Sequence, residues 1–178
     1  MATKRINSKI TGTDLKGIEG LKERVRKLRN TSINVGVFAG NYPNGTSIAS
    51  VGLWHEFGSV SNSLKVFKYK GKTIFSSGYP ARSWLRMPLK SKRFKVLNDR
   101  EFLKSILIVA LSNDKELDKW LNYIGIEAVQ IIREAFLTGG FGKWDNNMNP
   151  EYIKLKGSAD SPLLDSSLLV SSVEYKID

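Results

Sequence analysis

Trp54-His55-Glu56-Phe57-Gly58 and the later stretch Pro80-Ala81-Arg82-Ser83-Trp84-Leu85-Arg86 decide how this chain folds. Two aromatics, one carboxylate and a glycine stop close the first half. A proline-fixed extended entry, an arginine and a Trp-Leu pair open the second. Glu56 is the only acid in residues 30–63, and an arginine fork matches a carboxylate bidentately. One reading is a buried latch between Glu56 and Arg82, dried by the aromatics around it. In the other, both charges face water and only the aromatics are structural.

Upstream, residues 1–12 lack an apolar period and read as a flexible basic arm, leaving 13–178 as a single α+β domain. Leu15, Ile18, Leu21, Val25 and Leu28 recur at three- and four-residue steps. They predict an amphipathic helix from Asp14 to Arg29 with that stripe buried and Lys22, Arg24, Arg26 and Lys27 mostly off it. Ile33, Val35, Val37 and Ala39 alternate with Ser32, Asn34, Gly36 and Phe38, the period of a strand. Asn41 to Gly45 is turn chemistry. Ile48 to Phe57 reads as a short helix with Ala49, Leu53 and Trp54 inward, or as a strand.

Between the two halves, residues 64–75 place Gly71 between β-prone arms and predict a protruding hairpin carrying Lys65, Lys68, Lys70 and Lys72. After Arg86 an extended segment leads into a loop bearing Lys90, Lys92, Arg93 and Lys95. Asn98 is placed to cap a helix from Asp99 to about Leu111. Asn113 and Glu116 form a capping-box pair. They open the strongest helix, with Leu117, Trp120, Leu121, Ile124, Ala128, Ile131, Ala135 and Phe136 on one stripe. Gly139-Gly140 stops it. Residues 139–162, rich in Gly, Asn and Pro, predict a long loop, and Val173, Tyr175 and Ile177 predict a last strand beside the 32–39 strand. The expected architecture is a small, mainly antiparallel sheet with two or three helices on one face, plus the hairpin and the C-terminal loop.

The charge is polarised. Residues 1–29 carry nine Lys/Arg against three acids and residues 64–104 twelve against two, whereas 105–178 carry seven against eleven. Such a molecule presents a basic region to a polyanion or an acidic partner, unless the charge serves only as a solvated surface. The longest apolar run, Ile106 to Leu111, is six residues, too short to cross a bilayer. Met1 to Ile10 is polar and basic, unlike a secretory leader, so a cytoplasmic chain is expected. With no cysteine and one histidine, thiolate chemistry is excluded and most metal chemistry with it.

Four pieces in order carry a family resemblance: Glu56-Phe57-Gly58 after Trp54; Pro80-Ala81-Arg82 followed by Trp84-Leu85-Arg86; the Gly-rich run ending in Trp144; and Pro162-Leu163-Leu164-Asp165 leading to Leu168 and Ser171. Over residues 33–177 the chain resembles the neck and tail-completion proteins of long-tailed bacteriophages, also called head-tail joining or virion-morphogenesis proteins. It departs from them in Ser166-Ser167, where the family shows Thr-Gly, and in the longer gap between Gly58 and Pro80. The resemblance implies a virion protein of the neck, assembled in the host cytoplasm. Copies would form a ring, hexameric or alternatively dodecameric, at the head-tail joint or tail end. Partners would be head connector, adaptor or stopper proteins and a tail terminator or tail tube protein, with genomic DNA a further possibility in the channel. It implies no catalysis, no cofactor, no metal and no membrane.

The residues offer little else. His55 and Glu56 are adjacent rather than one helical turn apart, so they cannot form a zinc-protease pair. Gly139-Gly140-Phe141-Gly142-Lys143 is not a phosphate loop: Leu137 holds the first glycine position, Trp144 replaces the Ser/Thr, and a helix precedes it. Asp114, Glu116 and Asp118 lie at a helix start, where compensating the dipole accounts for them, and a nuclease reading rests on them alone. Non-specific nucleic-acid binding is the second reading, through the lysines of 64–104 interleaved with Phe67, Tyr69, Phe75 and Tyr79.

Overall fold

The computed structural model describes residues 12–69, 71–144 and 167–178. Pro162, Leu163, Asp165, Lys70 and most of the expected 1–12 arm and 139–162 loop lie outside the described residues. The elements are α1 (Gly12–Asn30), β1 (Ile33–Gly36), α2 (Ile48–Phe57), β2 (Ser59–Tyr69), β3 (Lys72–Tyr79), α3 (Arg86–Lys90), α4 (Lys95–Asn98), α5 (Arg100–Ala110), α6 (Asp114–Leu137), the short turn α7 (Gly139–Gly142), α8 (Leu168–Ser171) and β4 (Glu174–Ile177). The fold is α+β and mostly helical. Among the described residues no helix is long and apolar enough to cross a membrane.

The organising element is α6. Asn113 caps it by accepting from the Glu116 N–H at 3.0 Å, and all eight residues of the expected stripe are buried. Gly125, Val129 and Ile132 are buried too, which widens the stripe enough to serve two clusters. Leu117, Trp120, Leu121 and Ile124 pack with Phe94, Val96 and the inner face of α5. Val129, Ile132 and Phe136 pack with Ile48, Trp84, Leu169 and Val173.

The strands form two separate antiparallel pairs, β1 with β4 and β2 with β3. The first joins both ends of the domain in the expected way, Ile33 opposite Ile177 and Val35 opposite Tyr175. β1 is only four residues long, because the chain turns away after Gly36 toward Gly40 at φ +105°. β4 lies on α6 at Gly125, where any Cβ would overlap the Tyr175 ring, and the Tyr175 hydroxyl donates to Asn122 Oδ1 at 3.0 Å. Gly125→Ala should therefore cost about 2 kcal/mol, read by denaturant melting, and should loosen amide protection in β4 before that of α6. In the second pair Tyr69 faces Lys72 across Gly71, whose φ is +78°, and the register shifts between Val60 and Lys65.

Four expectations are corrected. The residues of α2 that face inward are Ile48, Gly52 and Glu56, while Leu53 and Trp54 are 58% and 47% exposed. The cap of α5 is Asp99, which accepts from the Glu101 and Phe102 N–H groups, not Asn98. The expected loop after Arg86 contains α3 and α4; Pro88 sits in the first turn of α3, where its missing N–H costs nothing. Most of the described α1 stripe is not buried: Ile18, Leu21 and Val25 are all more than 40% exposed, while Leu28 reaches the core.

Candidate interface built on the Glu56 junction

α3 begins without a side-chain cap of its own, because its N-cap is Leu85. The missing acceptor comes from Glu56, about thirty residues earlier in the chain and only 4% exposed. Its Oε2 accepts the Leu85 N–H at 2.8 Å, and its Oε1 accepts the Arg86 N–H at 3.2 Å. The Ser83 hydroxyl donates to Oε1 at 2.7 Å while accepting the Met87 N–H at 3.1 Å. Glu56 thus does for α3, across the chain, what an N-terminal Asp or Ser does locally, and a carboxylate there also matches the helix dipole.

The arginine of the latch is Arg86, not Arg82. Its Nε donates to Glu56 Oε1 at 2.7 Å, and its guanidinium lies 4.4 Å from the centre of the Phe57 ring. Arg82 is equally buried, at 3% exposed, and its main-chain N–H donates to the His55 carbonyl of α2 at 2.7 Å. Arg86 stands at the start of the helix that the carboxylate caps, so one side chain receives both its main-chain N–H and its guanidinium. Burial pushes the Glu56 carboxyl up, but the bonds from Arg86, Leu85 and Ser83 outweigh it and hold the group below its ordinary value of 4.5.

Trp84 is the second pin. Its indole Nε1 donates to the Gly52 carbonyl at 2.7 Å, and its ring is 5.6 Å from that of Phe136. A Cβ on Gly52 would come within 2.9 Å of the Trp84 ring, so the helix needs glycine there. Trp144 arrives by a different device. Gly140 and Phe141 are left-handed in α7, and that turn folds Trp144 back over Gly140 and edge-on to Phe136 at 5.8 Å. The Gly-rich run is thus a chain reversal whose three glycines take positive φ freely.

Beyond α3 the basic residues sit on a fixed turn. Lys90, Lys92, Arg93 and Lys95 are all exposed. Phe94 and Val96, alternating with them, are buried and anchor the segment to α6. Asn98 clasps it: its side-chain amide lies 2.9 Å from the Leu89 carbonyl and 3.0 Å from those of Ser91 and Phe94. Arg93 pairs with Glu134 at 3.2 Å and lies 4.8 Å from the centre of the Phe141 ring; Lys90, Lys92 and Lys95 make no ion pair among the described residues. Lys72 is exposed at the start of β3, and of Lys65 and Lys68 only the backbone place in β2 is described. Asn98→Leu should cost about 1–3 kcal/mol by freeing the three carbonyls. It should also speed tryptic cleavage at Lys90, Lys92 and Arg93, which limited proteolysis would register.

Among the described residues no group of His, Asp and Glu is placed to hold a metal. Glu116 pairs with Lys119 and Asp118 with Lys27, both at 2.6 Å, so these two acids of α6 are taken up separately. From sequence, Ser83, Arg86 and Gly52 carry no separate role, and Asn98 carries a different one, the cap of α5. Pro88 was the available signal, since a proline in a first helical turn marks Leu85 and Arg86 as the groups needing a cap. No family model, curated protein or solved structure matches the chain.

Proposed function

We propose that the chain is a structural subunit of a phage neck, assembling into a ring at the head-tail joint or tail end and acting without catalysis. The observation that carries this reading is the outer face of α2. Leu53, Trp54 and Phe57 are 58%, 47% and 57% exposed, on a helix whose other face is fixed by Trp84 and Glu56. A helix apolar all round is stable in water only when something covers each side, and a rigid Trp, Phe and Leu face bordered by an arginine has the composition of an interface centre. The order of the four motif pieces supplies the context. In a closed ring this face meets a different surface of the next copy, and β2–β3 acts as an arm toward neighbours. The basic segment from Lys65 to Lys95 then turns toward channel DNA or an acidic connector partner.

The test is the particle formed by the purified chain. A ring is expected in negative-stain images and sedimentation, and Leu53→Glu with Trp54→Glu should leave monomers that melt at the wild-type temperature. A monomeric wild-type protein, together with virions that lack the chain, would overturn the reading. The second reading, a non-specific nucleic-acid binder, is favoured by the unpaired Lys90, Lys92 and Lys95. It requires duplex binding near physiological salt with a steep negative salt slope, whereas a neck subunit alone should bind feebly.

A further inference from the structure

The other unexplained surface is on α1, and its chemistry differs from that of α2. Ile18, Leu21, Val25 and Leu28 fall at a, d, a and d of two heptads, β-branched at a and leucine at d, the pattern of a helix-pairing seam. Of these four, the body takes up Leu28 and leaves the rest. It holds α1 along the adjacent edge, where the Arg24 Nε donates to the Leu111 carbonyl at 2.6 Å and Lys27 pairs with Asp118 at 2.6 Å. The seam is left turned outward, with Ile18 45%, Leu21 43% and Val25 47% exposed.

Every charged residue at the positions flanking the seam is a cation: Lys22 and Arg29 at e, Arg24 at g. The acids Glu19 and Glu23 fall at b and f, away from the seam, and Glu23 is neutralised by Arg26 at 2.6 Å. Lys22 and Arg29 make no ion pair among the described residues.

From this arrangement we infer that α1 is the docking helix for a partner protein that presents an amphipathic helix with an apolar seam flanked by carboxylates. Flanking charges select coiled-coil partners by sign. A second α1 would set cation against cation along both flanks, which disfavours self-pairing through this helix. An anionic lipid surface fits less well: the exposed stripe is three aliphatic residues wide, has no aromatic, and is bounded by the protein body on one side. The inference rests on α1 alone and is independent of any ring formed through α2.

The experiment uses the full chain and two labelled three-heptad peptides with Leu and Ile at a and d, one with Glu at every e and g and the other with Lys. Fluorescence anisotropy should show the Glu peptide binding and the Lys peptide not, with affinity falling as salt rises. Ile18→Glu should weaken binding at least about tenfold while circular dichroism and melting stay at wild type, because Ile18 is half exposed. The double reversal Lys22→Glu, Arg29→Glu should transfer binding to the Lys peptide. Equal binding of both peptides, or of neither, would overturn the proposal. So would self-association that Ile18→Glu abolishes, or binding to phosphatidylserine vesicles by a chain that ignores the Glu peptide.

Discussion

Replacing Glu56 by alanine should lower the unfolding free energy by about 3–5 kcal/mol, the largest single-residue electrostatic loss expected in this molecule. The change strands the Leu85 and Arg86 N–H groups and the Ser83 hydroxyl, all satisfied by one carboxylate, and leaves Arg86 without its anion. Since the ionised carboxyl is favoured by folding, its native value lies below the ordinary 4.5. Its stabilisation is thus full above the unfolded-state value and disappears as pH falls through the native one. Melting followed from pH 7 into acid should show this limb in the wild type and a flatter one in Glu56→Gln. A Glu56→Ala protein as stable as wild type at pH 7 would contradict the trans cap. An unchanged acid limb in Glu56→Gln would assign the limb to other carboxyls.

Phe136→Ala should cost about 4 kcal/mol. Phe136 is fully buried, and its ring touches both Trp84 at 5.6 Å and Trp144 at 5.8 Å, so one truncation removes the surface on which both motif tryptophans rest. A melting temperature lower by roughly 8–16 °C is expected for a domain of this size, with red-shifted tryptophan emission as water reaches the cavity. Phe136→Leu, closer in volume, should cost about 1–2 kcal/mol. A small loss in the alanine variant would mean that the two tryptophans close over the gap.

What could be read from sequence was whatever obeyed one short-range period. α6 announces itself through eight apolar residues at helical spacing and a cap at Asn113, and β4 finds β1 because Val173, Tyr175 and Ile177 alternate as Ile33 and Val35 do. The α1 period was equally clear, yet its stripe is half exposed. Periodicity reports that a helix has an apolar face, and says nothing of what covers it. In α2 nearly every position is apolar, so the inward set was decided by glycine and by one carboxylate, Gly52 and Glu56, rather than by hydrophobicity. At the junction, a buried Glu56–arginine latch was one of two open readings and named Arg82; that the arginine is Arg86 depends on where a five-residue helix starts. Such a start is set by tertiary contact and by Pro88, not by propensity.

The trans cap also lets the intervening segment vary in length. Because Glu56 and Leu85 are fastened to each other, and Arg82 to His55, everything from Ser59 to Tyr79 leaves and re-enters the body through one closed gate. Lengthening a span tethered at both ends costs little, only about 0.6 kcal/mol for each doubling. A change of length between Ser59 and Tyr79 should therefore leave the Glu56 junction closed.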